Sequence, residues 1–167
     1  MYSAEALVHR LKSNNYIVTT AESCTGGLIA GAITDIPGSS NCFKEGFVTY
    51  SNEAKVKNLG VSAETIDAYG VVSRQVAAEM AQCLLKRTTA DFALSVTGVA
   101  GPDGGTTETP VGRVYIGCAS SAGCQVIENT YLGDRHMVRV QAVEDALKLL
   151  DASIDCYEDV NESNCRK

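Results

Sequence analysis

Apolar residues recur along this chain with two different periods, and segments of the two kinds alternate. Leu7, Val8 and Leu11 are three to four positions apart, which predicts an amphipathic helix with Ser3 as its N-cap. The β-branched and aromatic run 16–20 predicts a strand instead. Further strands are predicted at 43–50, 92–96, 111–119 and 125–131, and further helices at 28–33, 51–60, 62–70, 73–87 and 134–154.

Helices and strands alternate early in this pattern, whereas strands cluster late. The chain has 167 residues, which suits one domain with a sizeable core. We therefore expect an α/β protein, a three-layer α/β/α sandwich with a mixed, mostly parallel sheet. The domain is expected to span 1–155, and the polar segment 156–167 is expected to form a frayed C-terminal tail.

Composition excludes several function classes. The net charge of -6 argues against a nucleic-acid partner, because affinity for nucleic acid comes largely from neutralised phosphates. No apolar run reaches the length of a membrane span, and no signal peptide is recognised, so we expect a cytoplasmic protein without membrane contact. The seven Cys are odd in number and include no Cys-x-x-Cys pair, which favours reduced thiols over disulfides or a zinc site.

A small, glycine-rich stretch at 21–27 lies between a predicted strand and a predicted helix, where open α/β sheets bind ligands. Ser23 is a candidate nucleophile there, and the helix amides that follow could stabilise an oxyanion. The alternative is that Ser23 only caps the helix. Cys24 is the rival nucleophile; because adjacent side chains at a turn rarely aim at one point, we interpret Cys24 as packing.

A serine nucleophile needs a base, and histidine is nearly excluded because the chain has only two, His9 and His136. Lysine is the remaining choice with a precedent in hydrolases. Lys55 follows an apolar strand that ends at Tyr50, so its amine could be buried and its pKa lowered. The alternative for Lys55 is a solvated helix lysine, the interpretation that we give to Lys57.

Two further segments are candidates for substrate binding. The loop 97–105 could hold a polar ligand through backbone amides, or it could simply be a turn rich in glycine. Arg135 and Arg139 are one turn apart near a helix N-terminus, which fits either a phosphate site or surface ion pairs. Asp103 has no carboxylate or His nearby in sequence, so we expect no metal.

Four motifs together resemble the CinA C-terminal domain family. They are Ala-Glu-Ser-Cys-Thr-Gly-Gly at 21–27, Gly-Phe-Val-Thr-Tyr-Ser-Asn-Glu-Ala-Lys at 46–55, Gly-Val-Ala-Gly-Pro-Asp-Gly-Gly at 98–105 and Gly-Asp-Arg at 133–135. The resemblance implies a three-layer α/β/α fold. It also implies hydrolysis of nicotinamide mononucleotide to nicotinic acid mononucleotide and ammonia, without cofactor or metal.

The resemblance assigns roles to individual residues. Ser23 is the expected nucleophile and Lys55 its base, with Tyr50 assisting. The expected substrate-binding residues are Thr25, Gly26, Gly27, Thr97, Gly98, Ala100, Gly101 and Arg135. The partner would be a small nucleotide, and a homo-oligomer is expected. The alternatives are a pyridine-nucleotide-binding module without turnover and, against the acidic charge, a domain of DNA uptake.

Overall fold

The computed structural model describes residues 3–165, which form a five-stranded sheet between two layers of helices. The strands are β1 Val18–Glu22, β2 Phe43–Val48, β3 Phe92–Gly98, β4 Arg113–Ser120 and β5 Gly123–Thr130. The helices are α1 Ala4–Ser13, α2 Leu28–Thr34, α3 Asn52–Ala54, α4 Ala63–Tyr69, α5 Arg74–Arg87 and α6 Arg135–Cys165. A 3₁₀ turn at Ser39–Asn41 and a π-helical turn at Lys55–Leu59 complete the described elements.

The sheet has the strand order β2-β1-β3-β4-β5. Strand β1 pairs in parallel with both β2 and β3, whereas β4 pairs antiparallel with β3 and β5. All strands except β4 therefore point the same way. The prediction of a mixed, mostly parallel sheet is confirmed, and helices α1, α2 and α6 cover one face while α4 and α5 cover the other.

Successive side chains of β3 point alternately into the two hydrophobic clusters, one on each face of the sheet. Phe92, Leu94 and Val96 are fully buried in the cluster shared with α1, α2 and α6. Ala93 belongs to the second cluster, and Ser95 donates a 2.6 Å hydrogen bond to a carbonyl of α5. This period of two is the one expected for a strand covered on both faces.

Parallel pairing brings the ends of two strands to one edge of the sheet. Glu22 of β1 is in register with Val96 of β3, so the segments after these strands emerge side by side. The first is the turn that contains Ser23, and the second is the loop that follows Gly98, the last residue of β3. The sheet edge therefore joins the two segments that the sequence marks as candidates for catalysis and binding.

The C-terminal segment differs from its prediction. Helix α6 runs without interruption to Cys165. The prediction of a frayed tail after Asp155 is therefore wrong over the described residues. Residues 166–167 lie outside them. Arg10 of α1 explains part of the order, because it forms ion pairs of 2.7 Å with each of Asp151, Asp155 and Glu158.

Aromatic packing explains the rest of that order. The ring of Tyr157 makes edge-on contacts with Phe92 of β3, at 5.2 Å between centroids, and with Tyr16, at 5.6 Å. These contacts tie the last turns of α6 to the sheet.

Among residues 3–165, no helix combines the length and the hydrophobicity that crossing a membrane requires.

Candidate active site

The chain turns sharply from β1 into α2 through residues 23–27, which we call the nucleophile turn. Ser23 starts the turn, with its amide donating to the carbonyl of Val96 at 3.0 Å, and the amide of Gly26 closes it onto the Ser23 carbonyl at 3.0 Å. Gly26 and Gly27 have φ values of 60° and 95°, in the left-handed region that favours glycine. Glycine is thus required here by the backbone conformation.

Glu22, the residue before Ser23, holds the start of α2. Its carboxylate is 1% exposed and accepts hydrogen bonds from the amides of Gly27, Ile29 and Ala30 at 3.0, 3.1 and 2.8 Å. The first amides of α2 therefore donate to the Glu22 carboxylate and are not free to bind a ligand. Of the amides that follow Ser23, those of Gly26 and Gly27 already have acceptors in this conformation, so neither is free to hold an oxyanion.

Lys55 is buried at the point where α3 passes into the π-helical turn. Its side chain is 1% exposed. The amine Nζ donates to Ser23 Oγ at 3.0 Å and to the carbonyl of Thr49 at 2.7 Å. Burial lowers the pKa of this amine from its ordinary value of 10.5, because the charged form loses its hydration. π-Helical turns occur frequently at functional sites, and this one was not predictable from the sequence pattern.

Cys24 follows Ser23 but has a different environment. It is 5% exposed and belongs to the core cluster on the α6 side of the sheet. Burial raises the pKa of its thiol to about 11, although the positive charges of Lys55 and Arg139 act in the opposite direction. The thiol is therefore protonated at neutral pH and is a poor nucleophile.

Tyr50 and Arg135 meet on the opposite rim of the site. Tyr50 is 59% exposed, and its hydroxyl accepts a hydrogen bond from Arg135 Nη2 at 2.7 Å. Arg135 Nη1 also donates to the carbonyl of Gly101 at 2.8 Å. Within residues 3–165 no hydrogen bond joins the Tyr50 hydroxyl to Lys55, so direct assistance to the amine is not seen.

The loop after β3 forms another wall. Thr97 is 1% exposed and donates its hydroxyl proton to the carbonyl of Val71 at 2.8 Å. A Cβ at Gly98 would lie 2.8 Å from the carbonyl oxygen of Arg113, so close packing requires glycine there. Thr97 and Gly98 thus fix the end of β3, from which the loop departs.

These walls enclose a cavity of about 270 Å³. Most of the residues assigned a role from sequence line it, namely Ser23, Lys55, Tyr50, Thr97, Gly98, Ala100, Gly101 and Arg135. Thr25, Gly26 and Gly27 are not among its lining residues. Asn52 and Asp103 also line it, and the sequence analysis gave neither a role.

The two arginines that the sequence treated together are separated in the structure. Arg135 lines the cavity, whereas Arg139 donates from Nε to the carbonyl of Cys24 at 3.1 Å and from Nη2 to that of Thr25 at 2.9 Å. Arg139 thus holds the nucleophile turn instead of pairing on the surface.

Over the described range 3–165, no group of three or more His, Cys, Asp or Glu side chains is arranged to hold a metal ion.

Comparisons with known proteins identify the family. The model of the CinA C-terminal domain matches residues 2–154. A nicotinamide-nucleotide amidohydrolase PncC of Enterobacter agglomerans is 56% identical over 133 residues, which cover 79% of this chain and 81% of that protein. A CinA-like protein of Chlorobaculum tepidum is 50% identical over 149 residues, covering 86% of this chain and 35% of that protein.

The chain spans about a third of the length of CinA-like relatives such as the Chlorobaculum protein, of which it covers 35%. Among solved structures, the competence/damage inducible protein CihA from Agrobacterium tumefaciens is 46% identical, with a TM-score of 0.84 over 89% of this chain and 94% of that chain. The range matched by the family model includes the nucleophile turn, Lys55 and the loop after β3. The chain belongs to the CinA C-terminal domain family.

Proposed function

We propose that this chain is an amidohydrolase that converts nicotinamide mononucleotide to nicotinic acid mononucleotide and ammonia through an acyl-enzyme on Ser23. One observation supports the proposal most strongly. A buried amine, Lys55 Nζ, lies 3.0 Å from a serine hydroxyl that lines a cavity. An amine with a lowered pKa is the base that such a hydroxyl needs.

Acylation follows from this contact. Lys55 takes the proton of the Ser23 hydroxyl as Oγ attacks the carboxamide carbon, which becomes tetrahedral with its oxygen negatively charged. The C–N bond then breaks, and Lys55 returns the proton to the departing nitrogen, which leaves as ammonia. Water repeats the sequence on the ester, with Lys55 again as base, and releases the carboxylate.

The developing oxyanion needs donors, and the structure restricts the choice. The amides of Gly26 and Gly27 are used within the turn. Among residues 3–165, the amide of Cys24 donates no hydrogen bond to another residue. Cys24 also lines the cavity beside Ser23. We assign the Cys24 amide as an oxyanion donor, the position that the residue after a nucleophile occupies in many acyl-transfer enzymes.

The rim suits an anionic substrate. Arg135 uses one nitrogen for Tyr50 and another for Gly101, and a guanidinium has further N–H groups for a phosphate. The cavity volume, about 270 Å³, lies just below the usual range of ligand pockets, about 300–1,000 Å³, which favours a small ligand over a large one. The similar protein named nicotinamide-nucleotide amidohydrolase supports the same substrate class.

Release of ammonia from nicotinamide mononucleotide tests the proposal. The purified protein is assayed with EDTA, beside Ser23→Ala and the matched control Ser40→Ala, which alters an exposed serine. We expect release that EDTA does not affect, that Ser40→Ala keeps and that Ser23→Ala loses. Nucleotide that raises the melting temperature without any ammonia release would instead support the binding module without turnover.

A further inference from the structure

Arg139 contacts the nucleophile turn from the side of α6. It does not appear among the described residues that line the cavity, yet it binds the two carbonyls that follow Ser23 directly, those of Cys24 and Thr25. Both bonds come from one planar guanidinium, through Nε at 3.1 Å and Nη2 at 2.9 Å. A guanidinium in this position fixes the orientation of two successive peptide planes.

That orientation matters for the oxyanion. In a trans peptide the carbonyl and the N–H point in opposite directions. The hydrogen bond from the Gly26 amide to the Ser23 carbonyl sets the peptide that carries the Cys24 amide, and Arg139 sets the next two. If the Cys24–Thr25 peptide turned over, a carbonyl dipole would approach the reacting oxygen, where negative charge develops, and would destabilise the transition state.

The absence of a side chain at Gly26 gives the Arg139 guanidinium room to pack against the turn. A Cβ at Gly26 would lie 3.3 Å from Arg139 Nη2, so the guanidinium is packed directly against the glycine. Lysine could not replace Arg139, because a single ammonium lacks the rigid fork that reaches two carbonyls. The contact therefore combines close packing with two directed hydrogen bonds.

We propose that Arg139 is a positioning residue for catalysis, which keeps the carbonyls of the nucleophile turn away from the cavity so that the Cys24 amide can donate a hydrogen bond to the oxyanion. The inference rests on the proposed serine amidohydrolase activity. Arg139 touches neither the substrate nor the reacting atoms, so its removal lowers kcat and leaves KM near its wild-type value.

The test uses a fluorophosphonate probe, which does not depend on the nucleotide. Ser23 Oγ forms a bond to phosphorus, the P–F bond breaks, fluoride leaves, and Lys55 takes the serine proton. The labelling rate is followed by intact mass for the wild type, Arg139→Ala, Arg139→Lys and Arg74→Ala. Arg74 is the matched control because its guanidinium also donates to a carbonyl, that of Val126, at 2.5 Å.

We expect Arg139→Ala to slow labelling by about 100-fold, the cost of a disturbed oxyanion site, at a temperature where both proteins remain folded. Added guanidinium ion should restore part of the rate, Arg139→Lys should remain slow, and Arg74→Ala should react like the wild type. Labelling of Arg139→Ala at the wild-type rate would overturn the inference.

The same measurement separates this inference from the proposed substrate. If the wild type is labelled on Ser23 but releases no ammonia from nicotinamide mononucleotide, the substrate is wrong, and slow labelling of Arg139→Ala still supports the positioning role. If the wild type is not labelled at all, the assignment of Ser23 as nucleophile is overturned, and the role of Arg139 with it.

Discussion

The amine of Lys55 donates a hydrogen bond of 3.0 Å to the hydroxyl of Ser23, although the two residues are 32 positions apart in the chain. Ser23 follows β1 at the edge of the sheet, and Lys55 comes from the π-helical turn after β2. Since β1 and β2 are parallel neighbours, their ends meet. The pair therefore arises from sheet topology.

Replacing Lys55 by Met removes the base while filling the same buried space. We expect kcat to fall by about 1,000-fold, the usual contribution of general acid–base catalysis. Lys57→Met is the matched control, because Lys57 is exposed two positions further along. Steady-state ammonia release checks both variants, and equal loss in the two would show that the proximity of Lys55 to Ser23 has no catalytic role.

The pH dependence of the activity reports the pKa of Lys55. Burial lowers this pKa below 10.5, and the base must be neutral, so kcat/KM should rise with pH and level off with a midpoint below 10.5. A midpoint at or above the ordinary lysine value would contradict a buried base.

The free energy of unfolding should also depend on the ionisation of Lys55. Between the lowered pKa of Lys55 in the folded state and 10.5 in the unfolded state, the unfolded chain binds more protons, so the free energy of unfolding rises with pH. The wild type should therefore gain stability relative to Lys55→Met across this window. Urea unfolding at several pH values measures the difference, and parallel curves for the two proteins would exclude the lowered pKa.

Glu22 should matter for stability as well as for the shape of the turn. Replacing it by Ala leaves the amides of Gly27, Ile29 and Ala30 without their acceptor. We expect the free energy of unfolding to fall by about 2–4 kcal/mol, because hydrogen bonds to a charged group are strong and unsatisfied amides are costly. Urea unfolding beside Glu45→Ala, an exposed glutamate on β2, checks this; similar losses in both would contradict it.

The last turns of α6 should contribute to the stability of the whole domain. Tyr157→Ala removes the aromatic contacts with Tyr16 and Phe92, and we expect a loss of about 1–3 kcal/mol in the free energy of unfolding. Val160→Ala, which alters a residue that is 44% exposed, serves as the control. If Tyr157→Ala is as stable as the control, the end of the helix is not bound to the sheet.

Local signals predicted much of this protein. The stripe of Leu7, Val8 and Leu11 is buried on α1 as expected, and Ser3 caps that helix. Asp134 begins the last predicted helix, and its carboxylate accepts from the amide of Met137 at 2.9 Å at the start of α6. Periodicity and capping depend on residues close in sequence, and for this reason they can be read from the chain alone.

Contacts between distant residues could not be predicted in this way. Arg10 pairs with Asp151, 141 positions away, and nothing in the polar segment after Asp155 signals that it continues as a packed helix. Glu22 lies in a recognised motif, but its role depends on where α2 folds back over it. The division between Arg135 and Arg139 likewise depends on how α6 packs against the nucleophile turn.

A rapid-quench experiment with nicotinamide mononucleotide, analysed by intact mass and peptide mapping, would detect the acyl-enzyme on Ser23 itself. We expect an acyl adduct on Ser23 that forms as the first ammonia leaves, before the steady state is reached, that remains in Cys24→Ala and that disappears in Ser23→Ala. Ammonia release without any adduct on Ser23, or with the adduct on Cys24, would contradict it.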